Sequence, residues 1–151
     1  MLLTPHILTG VAIIILVQNP ILGLIFVLLS HYFLDLFPHR KYPINHIENS
    51  QWKQSLPDFL RVFTDMILGL LIVLAAVGFS HLVLMAAFLA IAPDGATLFY
   101  RLWPGNILFK WHLKLHALIN DVGENKKIPR FWGILTQIAV VILATCLLLR
   151  D

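Results

Sequence analysis

The sequence predicts an all-α fold, a polytopic membrane bundle of about five transmembrane helices with one amphipathic helix at the interface. Hydrophobic residues make up 59% of the chain and charged residues 13%, against roughly 45–50% and about 25% in soluble domains. Several apolar runs approach or exceed the ~18 residues that argue for a membrane span. Lys and Arg concentrate in the connections between those runs. At 151 residues the chain reads as a single integral membrane domain, residues 1–151. With Cys146 as its only cysteine it can form no internal disulfide; in an apolar run that thiol is expected to be buried and inert.

Each element has a local reason. Thr4 and Pro5 read as an N-cap and first helical residue. The first apolar run then continues to Val17 and stops at Gln18–Asn19–Pro20. It lacks the basic start and A-x-A-like cleavage site of a signal peptide. It is also short: ~16 residues at 1.5 Å rise give about 24 Å. A second helix runs from Pro20 to about Phe37 and ends before Pro38, because a residue preceding proline is pushed out of the α region. A polar connection covers residues 39–58, and a third helix runs from Asp58 or Phe59 to Val77. Gly78–Phe79–Ser80 reads as a turn. A fourth helix covers about His81–Tyr100, with a break or kink expected at Pro93–Asp94–Gly95. The last helix, about Phe131–Leu149, carries no charge.

Charge sets the expected orientation. Five spans put residues 39–58 and 101–130 on one side with the N-terminus. Nine of the eleven Lys and Arg fall there, including Lys126, Lys127 and Arg130, and Arg61 near the start of helix three makes ten on that side; Arg150 is the exception. The positive-inside bias makes that side cytoplasmic in a cell (inner) membrane. The basic pI of about 9.3 then follows from topology and contact with anionic lipid headgroups, and nucleic acid is not an expected partner.

This topology gathers the polar residues. His6 opens helix one, His31 and Asp35 close helix two, Asp65 is early in helix three and Asp94 late in helix four. All lie near one leaflet. His31 and Asp35 are one turn apart on one helix face, and His39 either continues that stripe or sits in the following loop. Residues Asn106–Asn120 read as an amphipathic interfacial helix. Lys110 and Lys114 share one edge with Asn106, while His112, His116 and Asn120 share another. His-x-x-x-His on one helix face is a metal-ligand spacing.

The candidate metal set is therefore His6, His31, Asp35, Asp65, Asp94, His112 and His116. Imidazole and carboxylate donors without thiolate suit a divalent metal, Zn or Mn foremost. Seven candidates exceed one tetrahedral ion, so two metals fit as well. Asp65 or Asp94 is the candidate catalytic carboxylate, and Arg61, Arg101, Lys110 and Lys114 are candidates for contacting an anionic headgroup. Plainer readings stand beside these. His39 and His46 read as loop residues, His6 as a cap, Asp65 as a partner of Arg61, and Asp94 as a cap after Pro93.

An early histidine, Ser30–His31 with Asp35 and Pro38–His39, Ala92–Pro93–Asp94, and His112 with His116 together form a pattern. It resembles that of small bacterial inner-membrane proteins classed as predicted metal-dependent hydrolases, of the kind linked to LexA regulation. The resemblance covers about residues 1–120 at motif level. It implies a metal and hydrolysis and names no substrate. The chain departs from it after His39–Arg40, where Lys41–Tyr42–Pro43 replaces an H-R-x-x-T-H-S-like segment.

No G-x-S-x-G motif occurs, and Cys146 lies in the charge-free helix. The expected activity is thus hydrolysis by a metal-activated water, on a phosphoester of a membrane lipid or lipid-linked substrate. The same polar cluster would also serve a transporter or ion pathway, or a structural module without catalysis.

Overall fold

A computed structural model describes residues 1–123 and 129–150. Lys126 and Lys127 lie outside the described residues. The architecture is all-helical: α1 (Leu3–Leu16), α2 (Pro20–Asp35), a short α3 (Asn45–Glu48), a 3-10 turn (Trp52–Gln54), α4 (Leu56–Val77), α5 (His81–Leu102), α6 (Ile107–Gly123) and α7 (Arg130–Leu148). Among the described residues, three helices are long and apolar enough to cross a membrane: α4, α5 and Phe131–Leu148 of α7. The expected five spans reduce to these three because α1 and α2 are only 14 and 16 residues long. At 1.5 Å per residue they reach about 21 and 24 Å, short of the ~30 Å hydrocarbon core.

The bundle is built around α1, which packs against α2, α4, α5 and α7. A helix that is apolar all round belongs in an interior, and α1 buries Ile7, Leu8, Val11, Ala12 and Ile14. Small residues allow this crowding. A Cβ on Gly10 would stand 2.7 Å from Ala90 Cβ and 3.1 Å from Val27 Cγ1, so three helices meet there. Outward faces are apolar too, as with Ile21, Ile25 and Phe33 on α2 and Leu60, Ile67 and Leu71 on α4. Cys146 is exposed on α7 rather than buried.

Caps fix the helix ends. Asn19 Oδ1 accepts from Ile21 N and Leu22 N, with Pro20 following it. Ser80 Oγ accepts from Val83 N after Gly78, whose φ of 73° suits glycine. Asn106 Oδ1 accepts from Leu108 N and Phe109 N. The start of α1 is different: no residue of its own caps it. Asp65 Oδ2, from α4, accepts from Leu3 N at 2.6 Å and Thr4 N at 3.0 Å. Thr4 is therefore inside the helix instead of capping it.

The break expected at Pro93 does not occur, and α5 runs through it to Leu102. The proline still loosens the ladder, since it has no N–H to give the carbonyl four residues back. Two carbonyls in this turn, those of Ala90 and Pro93, take histidine donors from other helices.

Candidate metal centre

Four residues from three helices converge: His31 and Asp35 from α2, Asp94 from α5 and His116 from α6. One ligand atom of each lies within 4.8 Å of all the others, a donor set that can hold a metal ion. His31 Nε2 stands 3.4 Å from Asp35 Oδ2 and 3.9 Å from Asp94 Oδ1. His116 Nε2 stands 3.2 Å from Asp35 Oδ2 and 3.5 Å from Asp94 Oδ1. The two Nε2 atoms are 3.1 Å apart. Donors bound at about 2.0–2.2 Å in a tetrahedron stand about 3.3–3.6 Å from one another. The observed separations bracket that value.

Hydrogen bonds lie behind both rings, and the one behind His31 sets its tautomer. His31 Nδ1 donates to the Ala90 carbonyl at 2.7 Å, which in the neutral ring leaves the lone pair on Nε2. Thr97 Oγ1 donates to the Pro93 carbonyl at 3.2 Å and can accept from His116 Nδ1 at 3.3 Å. In the tautomer that donates there, the lone pair of His116 is on Nε2 as well. Two imidazole lone pairs and two carboxylates then face one point. Lone pairs repel without a shared positive charge, and outer hydrogen bonds of this kind orient metal-binding histidines. Asn120, buried, lies 3.2 Å from His116 Nδ1 through its side-chain nitrogen.

The other candidates are placed elsewhere. His112 uses both ring nitrogens: Nε2 donates to the Pro93 carbonyl at 2.8 Å, and Nδ1 accepts from Tyr32 Oη at 3.2 Å. It stacks on His116, with centroids 5.5 Å apart, and stands behind the centre. Burial, which disfavours the imidazolium, lowers its pKa. Asp65 is also outside the group. Its oxygens accept from Leu3 N, Thr4 N, the Thr4 hydroxyl and the Tyr42 hydroxyl. Burial first, and the bond to Asp65 second, raise the Tyr42 pKa and keep it a donor.

His6 is fully buried beside the group, with Nε2 3.4 Å from Asp35 Oδ1. His39, expected in a loop, is in one, yet it is buried with Nε2 3.9 Å from the same oxygen. It follows Asp35 by four residues, and that spacing was the available signal. Its position depends on α7, where a Cβ on Gly133 would come within 3.1 Å of the His39 backbone.

The candidate headgroup cations divide. Arg61 pairs with Asp58 at 2.9 Å and bonds the Pro43 carbonyl, so the expected Arg61–Asp65 pairing is replaced. Asp58 also accepts from His46 N and Ile47 N, capping α3. Lys110 and Lys114 lie exposed on the outer edge of α6, with Lys114 Nζ 5.5 Å from the Trp111 ring. Arg101 lines a cavity of about 460 Å³ between α4, α5 and α6. Phe59, Val62, Met66, Leu98 and Leu113 make much of that wall, and Lys41 contributes to it. Asp94 and His116 lie on the same wall, so the centre opens into the cavity. The chain matches no family model, no curated protein and no solved structure.

Proposed function

We propose that this chain is a membrane-embedded, metal-dependent hydrolase acting on a phosphoester of a lipid or lipid-linked substrate. The observation that carries the reading is a four-donor group opening, through Asp94 and His116, into an apolar cavity that also holds Arg101. An apolar wall suits a hydrocarbon chain, and a cation suits an anionic group at its end. The ten-to-one distribution of Lys and Arg supports a cytoplasmic site in a cell membrane. The motif-level resemblance to membrane-bound metal-dependent hydrolases points the same way.

A divalent cation, Zn or Mn by donor type, supplies an acidified water and polarises a phosphoryl oxygen. The chain's residues do the rest. His31, Asp35 and His116 are held by Ala90, Thr97 and their own packing. The Asp94 side chain is 29% exposed while that of Asp35 is 0%, so Asp94 is the carboxylate within a substrate's reach and the proton acceptor. Arg101 steadies the anionic group, and the apolar walls exclude bulk water.

The test is release of phosphate or headgroup from anionic lipids and polyprenyl phosphates by metal-loaded protein in detergent. Asp94→Asn and His116→Ala should each lower the rate by about 100-fold or more. Activity surviving both substitutions, or no turnover across the panel by metal-loaded protein, would overturn the reading.

A further inference from the structure

Asp35 has a second oxygen, and a second pair of imidazoles faces it. His6 and His31 are stacked nearly parallel, with centroids 4.1 Å apart and planes 21° apart. They aim at different oxygens of one carboxylate: His31 Nε2 lies 3.4 Å from Oδ2 and His6 Nε2 3.4 Å from Oδ1. His39 Nε2 lies 3.9 Å from Oδ1. All three side chains are fully buried.

A structural histidine in an interior normally gives one ring nitrogen to a donor or acceptor. His6 is enclosed completely, yet neither its Nδ1 nor its Nε2 makes a hydrogen bond. The nitrogen of Met1 lies 2.8 Å from Asp35 Oδ1, so a positive charge already sits on this side of the carboxylate. That ion pair accounts for Asp35 and leaves His6 unexplained.

We propose that Asp35 bridges two divalent cations, with a second site formed by His6 Nε2, His39 Nε2 and Asp35 Oδ1. This rests on the reading above, which places the first cation among His31, Asp35, Asp94 and His116. Two nitrogens and one oxygen without thiolate again suit Zn or Mn. The second cation takes the place of the Met1 charge against Oδ1. Paired ions sharing a carboxylate fit phosphoester hydrolysis, in which one ion faces the attacking oxygen and the other the leaving oxygen.

The experiment uses the full chain, purified in detergent, loaded with Mn²⁺ and freed of excess metal. Metal per chain is measured by mass spectrometry and spin coupling by electron paramagnetic resonance. Wild type should hold two equivalents with an exchange-coupled signal. His6→Ala should hold one and give an uncoupled spectrum. His39→Ala, altered in a loop rather than in the central helix, should do the same and covers the case in which His6→Ala fails to fold. One equivalent in wild type, unchanged in the variants, overturns the second site and leaves the first standing. Two equivalents persisting in both variants overturn the ligand assignment. No metal in any sample overturns both sites.

Discussion

Asp65 spends its acceptor capacity on the start of α1, where it bonds two backbone N–H groups and the Thr4 hydroxyl and receives the Tyr42 hydroxyl. Asp65→Ala would strand those donors and remove a helix cap, so it should lower stability by about 1–3 kcal/mol. Metal content per folded molecule should stay the same. Thermal unfolding in detergent together with metal analysis checks this, and loss of metal at unchanged stability would move Asp65 into the centre. The sequence marks Asp65 as an ionisable residue in an apolar helix and goes no further, because its partners lie 23 to 62 positions away. His31, Asp35 and His116 were legible because each sits at helical spacing from another candidate. His112 shares that spacing yet faces the Pro93 carbonyl, and the pattern alone could not separate it from His116. His39 was left between the stripe and the loop because the α7 contact at Gly133 is a tertiary one.

At the scale of elements, packing around α1 makes two glycines behave oppositely. Gly10→Ala places a Cβ 2.7 Å from that of Ala90, and neither helix can yield without losing contacts elsewhere. It should destabilise the fold by about 1–3 kcal/mol. Gly95 lies inside α5 with nothing within 4 Å of its added Cβ. Gly95→Ala should therefore be neutral or stabilising by up to about 1 kcal/mol, the helix-propensity gain. Unfolding midpoints of the two variants against wild type decide it; equal losses would mean that α1 is less tightly enclosed than described. Helix positions were readable from apolar runs, Gly78, Asn19 with Pro20, and Pro38. The unbroken passage of α5 through Pro93 was not, because a proline in a helical pattern signals a break and only tertiary packing decides whether the helix runs on.

For the whole molecule, sidedness does not depend on whether α1 and α2 cross fully. Two successive short helices return the chain to the side on which it began, whatever depth they reach. Reporter fusions after Ser80 and at Arg150 should both give the external signal, as the positive-inside bias requires. A cytoplasmic signal at Ser80 would invert the molecule and place the proposed centre on the outer face. The count of long spans is three among the described residues, against about five expected, because hydropathy registers apolar character while α1 and α2 fall short in length.

That enclosure has a consequence for biosynthesis. The ribosome makes α1 before all four helices that surround it, and α7, one of the four, comes last. A 14-residue segment cannot rest across a bilayer alone. It has to wait beside α2 until α4, α5 and finally α7 close around it, and long-range contacts of this kind form late. Every donor of the four-residue group precedes α7 in the chain. Yet the helix carrying His6 is walled in, and the His39 loop seated on Gly133, only when α7 docks. Metal acquisition at the second site would then be timed by the final step of assembly, after the donors of the first are already made.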